Sequence, residues 1–511
     1  LKFGLNKTVG KKMTNRDTSI DILKIKMAIR SGVPLSISTY TLPHDMEVYM
    51  GNVLTSFLKE LDQNFMIPYL TYCMQELVTN AKKANTKRIY FKEKKLDITS
   101  EQDYNLGMKD FKYETLNNIN YYLQAQKDAG LYVKLMLQYR NNKIKMEVRN
   151  NSIITVFEYK RIYEKMRRAQ KYASIEDALK QVLDDSEGAG LGIVIMILML
   201  KEIGLTEENF QILSENGETI TRIILPLNSE VKDKINIISK EFEDSINSLP
   251  QFPENIARLS KLLEEPDSKI SDIAVQISND VALTGELLKL VNSAAFGLSQ
   301  PCKSIAEAVK LIGLHGIKNM LFTIGTIKAF SSVSGSTESL WNHAYKVAYY
   351  SYNIARNFCS SQRSVVEDSY VCGLLHDMGK IIFETIHPSF LERIRIVCKS
   401  KGVEPELFEK ILSGVNHGEI GAKIAEKWNF PPIIVNVIRY HHSPENAPED
   451  TRTLASVVYL ADMLVHYQEK KIEYYQIDQD VLSMFRIPSE SQFAKISEKL
   501  NSSFEEQNSK K

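Results

Sequence analysis

Nine histidines are few for 511 residues, yet six of them fall between His343 and His442, interleaved with aspartates. His343 repeats in helical register with Val347, Tyr350 and Ile354, which turns its imidazole inward. Asp462 lies on a similar apolar stripe with Ala455, Val458 and Val465, where an unpartnered carboxylate is costly to desolvate. His376 and Asp377 end the apolar stretch 370–375 just before Gly379 and Lys380, and His417 opens a helix whose Gly421, one turn on, leaves room for a close neighbour. His441 and His442 close a helix over 433–440. Imidazoles combined with carboxylates suit zinc, iron or manganese, with an aspartate bridging two ions. His343, His376, Asp377, His417, His441, His442 and Asp462 are therefore the candidate metal ligands, although any one histidine alone reads equally as a hydrogen-bonded core or surface residue. His315, His387 and His466 fit no ligand place and read as surface or packing residues.

A second set lies upstream. Glu76, Asn80 and Lys83 share one polar stripe of a helix whose opposite side carries Leu70, Met74, Leu77, Ala81 and Ala84. An asparagine there can offer its carbonyl to magnesium, and a lysine can neutralise phosphate oxygens. Gly188, Gly190 and Gly192 open the apolar helix 193–203, where bare amides can approach phosphates. Between these lie Asn150, in Val-Arg-Asn-Asn-Ser at a strand end, and Thr219, in a strand that follows the Asn216–Gly217 turn. Each motif alone reads equally as an ordinary polar helix face, turn or loop. His44, just before a helix, reads most plainly as a turn or cap histidine.

The elements that must hold these residues change character near residue 230. Before it, helical stretches alternate with β-rich runs at 88–91, 132–139, 143–148, 211–213 and 219–225; after it, helical spacing dominates, as in Ile270, Ile273, Ala274 and Ile277. The segment 229–245 reads as a connecting helix and 331–339 as a loop. Lys plus Arg (64) nearly cancels Asp plus Glu (63), which disfavours a nucleic-acid binder or an anionic-membrane partner. Five scattered cysteines without a close pair fit reduced thiols, and the longest apolar run, 191–200, is half of what a membrane span needs, so a cytoplasmic protein is expected.

The order of the upstream motifs resembles the GHKL, or Bergerat-type, ATPase domain of histidine kinases, DNA gyrase and heat-shock chaperones, over roughly residues 40–227. The resemblance implies ATP with magnesium as ligand, held by Asn80, Lys83, Asn150, Gly188, Gly190, Gly192 and Thr219, with Glu76 in the place of the glutamate that activates water in chaperone-like members. Asn150 stands where the family usually has aspartate, which forgoes charge assistance to adenine. The stretch 97–130 is a long insertion between the first strand and the next.

Leu-Leu-His-Asp-Met-Gly-Lys, 374–380, resembles the HD phosphohydrolase superfamily, with His343, His376, Asp377 and Asp462 as its core set. His417, His441, His442 and Lys380 match the extended set of HD-GYP cyclic dinucleotide phosphodiesterases, although the Gly-Tyr-Pro signature is absent. Residues 277–297 and 304–321 resemble the HDOD domain, a signalling output module related to these hydrolases, over nearly all of 249–466.

The expected architecture is multidomain: an α/β Bergerat-type sandwich, with a mixed sheet and helices on one face, followed by an all-α HDOD/HD domain. The expected boundaries are an N-terminal extension 1–39, an ATP-binding domain 40–228, a linker helix 229–248, an HDOD domain 249–470 with its HD-type core at 335–470, and a terminal helix and tail 471–511. The resemblances imply a signal-transduction protein whose ATP-binding half regulates an HDOD output domain that binds a signalling partner and holds a di-metal centre of iron, manganese or zinc. The alternatives are a metal-dependent phosphodiesterase acting on a cyclic dinucleotide, with Lys380 orienting phosphate, and an ATPase or protein kinase. A second copy of the chain is a further candidate partner.

Overall fold

The computed structural model describes residues 2–3, 20–172, 178, 191–202, 205, 209–227, 244–263, 270–293, 296, 298, 300–331, 338–386, 405–413 and 415–509. Gly188, Gly190, His387, most of the segment read as a connecting helix and most of the 331–339 loop lie outside them. The chain divides into two compact units, residues 1–238 with 410–414, and residues 239–409 with 415–511. Among the described residues no helix is long and apolar enough to cross a membrane.

The first unit is built on a sheet ordered β1-β2-β3-β4-β6-β5, with strands β1 Lys2–Phe3, β2 Leu35–Thr39, β3 Val133–Arg140, β4 Lys143–Asn150, β5 Phe210–Glu215 and β6 Glu218–Pro226. The five strands from β2 onward pair antiparallel, and β1 joins β2 in parallel at one edge. The sheet thus starts inside the segment expected to be an extension.

Two tight turns fix the register of its hairpins β3–β4 and β5–β6. Asn141 and Asn142 both have positive φ, as do Asn216 and Gly217, the left-handed pairs that two-residue hairpins need. Pairing of Leu135 with Val148 and of Met146 with Ile223 then puts apolar side chains on one face, against the helix Ile67–Glu93. The pairing of β4 with β6 brings Asn150 opposite Thr219 at the end of that face. The opposite face carries a charge lattice in which Glu147 is buried between Arg149 and Arg222.

One expected strand is helical. Residues 88–91, Arg-Ile-Tyr-Phe, have strand-like composition but complete the helix Ile67–Glu93. Ile89, Tyr90 and Phe91 pack there against Tyr104, Phe111 and Tyr122 from the helices Glu101–Asn117 and Ile119–Asp128, so tertiary burial overrides local preference. The insertion is this helix pair, with its break at Asn118.

Glu158 secures the strand-to-helix corner after β4. It closes a capping box with Thr155, pairs with Arg88 at 2.7 Å and Lys87 at 3.2 Å, and is 8% exposed. Burial opposes its ionisation, but Arg88 and Lys87 outweigh it and bring the carboxyl from 4.5 to about 2. A pKa lowered by folding stabilises fully above the unfolded value and is lost as pH falls through the folded one. Glu158→Gln is expected to cost about 3 kcal/mol at pH 7, with the gap from wild type narrowing steadily below pH 4.5. Urea titrations of both proteins at pH 7 and pH 3 measure it.

The second unit is helical throughout the described residues. Glu254–Leu262, Ile270–Ser278, Val281–Val291 and the kinked Ile305–Ser331 form its first part, and Asp280 caps the third of these by accepting from the Leu283 amide. The kink falls at Gly313, whose φ of 74° only glycine adopts freely. Asn292 reaches past its own helix end to bond both backbone groups of Cys302. The helices Glu338–Phe358, Arg363–Leu375 and Glu449–Gln468 pack on one another, and His417–Lys427 packs on Pro432–Tyr440. Those five helices and their ends carry the seven metal-ligand candidates.

Candidate metal centre

Each of the seven side chains is placed by a helix or a helix end. His343 points from the middle of Glu338–Phe358, and Asp462 from Glu449–Gln468. His376 and Asp377 follow the last turn of Arg363–Leu375, His417 begins its helix behind an Asn416–Glu419 capping box, and His441 and His442 follow Tyr440. All but His343 and His442 are fully buried, and those two are 13% and 17% exposed at the side chain.

Asp377 sits at the middle. Its Oδ1 lies 3.2 Å from His417 Nε2 and 3.7 Å from His441 Nε2, while its Oδ2 lies 3.3 Å from His376 Nε2, 3.7 Å from His343 Nε2 and 2.6 Å from Lys380 Nζ. Asp462 Oδ1 faces His343 Nε2 at 3.1 Å and His376 Nε2 at 3.9 Å. His442 Nε2 reaches His417 Nε2 at 2.9 Å and Glu406 Oε1 at 3.1 Å. Two groups of possible ligands meet at this carboxylate: His343 with His376, and His417 with His441 and His442.

The donor set fits metal ions on two observations. His376 Nδ1 is held by the Gly373 carbonyl, His441 Nδ1 by the Ile438 carbonyl and His417 Nδ1 by Glu409 Oε2, all at 2.7 Å. Fixing the outer nitrogen of each ring turns its Nε2 lone pair toward the centre, the arrangement metal-binding histidines use. Moreover, His376 Nε2, Asp377 Oδ1 and Asp462 Oδ2 are buried without a hydrogen-bond partner, a cost that a cation removes.

Electrostatics agree with this. Burial works against ionisation of Asp377, yet His376 and Lys380 hold it well below the usual carboxylate range, and Asp462 is held low in the same way by His466 and His343. Burial lowers His441 to about 4, which leaves its nitrogen free to coordinate. At His417 burial is outweighed by Glu409, and the imidazole rises to about 9, so an ion must displace a proton there.

Glu409 was not visible in the sequence, where it is one acidic residue of a helix over 405–413. It is 1% exposed and accepts from both the backbone amide and Nδ1 of His417. Glu409→Ala should weaken metal binding about 10- to 100-fold, read by competition with a chromophoric chelator. His466, read from the sequence as a surface or packing residue, places Nε2 3.2 Å from Asp462 Oδ1. Lys380 is buried and pairs with Asp377, so it acts on that carboxylate rather than standing free in a pocket.

In the first unit, Asn80 donates to Glu76 at 3.0 Å, and a side chain at Gly192 would run into the Glu76 carboxylate. Gly192 and the helix it opens thus lie against Glu76, whose flexible end would have to turn away from any side chain added there. Lys83 is exposed on the same helix. Asn150 donates to Asn85 at 3.1 Å, and Thr219 donates to the Ser152 carbonyl at 2.6 Å. Asn85, which no motif had singled out, centres this buried polar group: Ser152 also donates to it, and it donates to the Tyr132 carbonyl. His44 opens the helix His44–Glu60.

Comparison with known proteins adds the following. The chain is 42% identical over 493 residues, 96% of its own length and 96% of the relative's, to an uncharacterised protein of Treponema pallidum (strain Nichols). A family model for the HDOD domain matches residues 249–444. Ribonuclease Y of Geobacter metallireducens is 26% identical over 182 residues, which span 35% of this chain and 28% of that protein. Among solved structures, an HDOD domain protein of unknown function from Geobacter sulfurreducens is 24% identical over 55% of this chain and 97% of its own, with a TM-score of 0.44.

Proposed function

The chain belongs to one family with the Treponema pallidum protein and carries an HDOD domain, and from that footing we propose that it is a signal-transduction protein whose HDOD domain holds a di-metal centre of iron, manganese or zinc. The observation that carries this reading is the set of buried, unpartnered acceptor atoms faced by imidazoles whose outer nitrogens are already held. His376, Asp377, Asp462, His343, His417, His441 and His442 would be the ligands, with Asp377 between the two groups. When bound, such ions polarise a phosphate ester and supply hydroxide at neutral pH. The protein's own part is to keep both aspartates ionised, to fix each ring's tautomer and, through Lys380, to hold the Asp377 carboxylate in place. A phosphodiester, such as a cyclic dinucleotide, is the substrate class that this chemistry serves.

Elemental analysis of protein purified without chelator tests the first claim, and a phosphoester panel that includes cyclic dinucleotides tests the second. Folded protein that takes up no iron, manganese or zinc would sink both. Metal without turnover would leave the domain as an output surface for a signalling partner.

A regulatory ATP site in the first unit is the second reading. It is favoured by two placements: Asn150 and Thr219 face each other at the end of the apolar sheet face, and Glu76 and Asn80 on the helix Ile67–Glu93 lie against Gly192 of the helix Leu191–Glu202. Calorimetry with magnesium and ATP tests it. Binding that disappears in Asn150→Ala supports it, and no heat from the wild-type protein removes it.

A further inference from the structure

We propose that His466 is a metal ligand, forming with His343 and Asp462 a cation site at the edge of the centre; the inference rests on the di-metal reading above and extends it to a residue outside the matched motifs. Asp462 and His466 are four residues apart on one helix, so both side chains leave the same face one turn apart. A single oxygen, Asp462 Oδ1, lies 3.1 Å from His343 Nε2 and 3.2 Å from His466 Nε2. The ligands of a tetrahedral ion with bonds near 2.0–2.1 Å are separated by roughly 3.3 Å, so both spacings match edges of such a site. The two rings stack, 5.0 Å apart and inclined by 19°, which presents their nitrogens side by side.

The surroundings favour ligation over an isolated pair. Asp462 is 1% exposed and its other oxygen has no hydrogen-bond partner. The outer nitrogen of His466 is buried without a hydrogen bond, with Glu469 Oε2 3.8 Å away, a carboxylate in reach of the position that orients a ligating ring. The three ligand atoms fall within 4.8 Å of one another.

The consequence is a choice for His343, whose Nε2 is 3.1 Å from Asp462 but 3.7 Å from Asp377. With His343 turned to Asp462, His466 gives that ion one more imidazole than the motif residues provide. An extra donor fills a coordination position that water or substrate would otherwise take, which restrains hydrolysis at this end of the centre.

The test uses the full chain loaded with cobalt(II), comparing wild type, His466→Gln and His466→Glu, the last retaining a donor. Cobalt shifts the exchangeable ring N–H protons of ligating histidines far outside the ordinary proton range, so the ligands can be counted. His466→Gln should lose one such signal and bind the weakest ion at least about tenfold less tightly, with His466→Glu recovering part of the affinity. An unchanged signal count and affinity in His466→Gln would overturn the inference while leaving the di-metal reading in place. Wild-type protein that binds no cobalt would overturn both.

Discussion

Asp377→Ala should leave the protein almost free of metal, where the wild type should take up about two ions per chain. The two oxygens of Asp377 face different groups, Oδ1 toward His417 and His441 and Oδ2 toward His376 and His343, so one truncation removes a ligand from both. The effect on the fold is separable from the effect on metal. Lys380 Nζ is 2.6 Å from Asp377, is buried, and is kept protonated against burial mainly by Asp377 and Asp462. Removing its partner leaves a buried charge at a cost of about 3–5 kcal/mol. Asp377→Ala combined with Lys380→Met should therefore recover most of the lost stability and none of the metal. Elemental analysis beside thermal melts reads both quantities. Full metal content in folded Asp377→Ala would show that the ions sit elsewhere.

What the sequence made legible follows from how local each signal was. The His-Asp pair, His417 and the two adjacent histidines stood out because each lies at a helix end, where a break in apolar spacing marks it. The Asn216–Gly217 turn was legible because positive φ restricts the residue types allowed. Glu409 was not, because its pairing with His417 is made by tertiary folding and leaves no mark on a helix over 405–413. His466 was legible in principle, one turn beyond Asp462 on the same face, but a ligand set taken from known motifs passes over it. The expected strand at 88–91 failed for the opposite reason: its residue types were strand-like, and burial among Tyr104, Phe111 and Tyr122 decided otherwise. In the first unit, two tight turns made the β3–β4 and β5–β6 hairpins legible, whereas the pairing of β4 with β6 that brings Asn150 to Thr219 joins strands far apart in the chain and leaves no local mark.

Gly379→Ala is expected to damage the centre without touching a ligand. A side chain at 379 would fall inside contact distance of the His417 carbonyl oxygen and 2.7 Å from the Gly421 nitrogen. Both obstacles are backbone and cannot swing aside as a side-chain end could. Gly421 is constrained in turn, since a side chain there would lie 2.8 Å from Ile438 and 3.2 Å from the Gly379 nitrogen. The loop after Asp377 and the start of the His417–Lys427 helix therefore cross at two glycines, and that crossing sets the 3.2 Å between Asp377 and His417. An added methyl must push the helix outward, at a cost of about 3 kcal/mol or more. Metal content should fall by the share that His417, His441 and His442 hold, while the ion nearer Asp462 is retained. Gly285→Ala is the matching control: the site is open, with nothing within 4 Å, inside the helix Val281–Val291, so alanine should be neutral or stabilise by up to about 1 kcal/mol. Calorimetric melts and metal content for the two variants decide it. A Gly379→Ala protein as stable and as metallated as wild type would mean that the two segments are not held against each other as described.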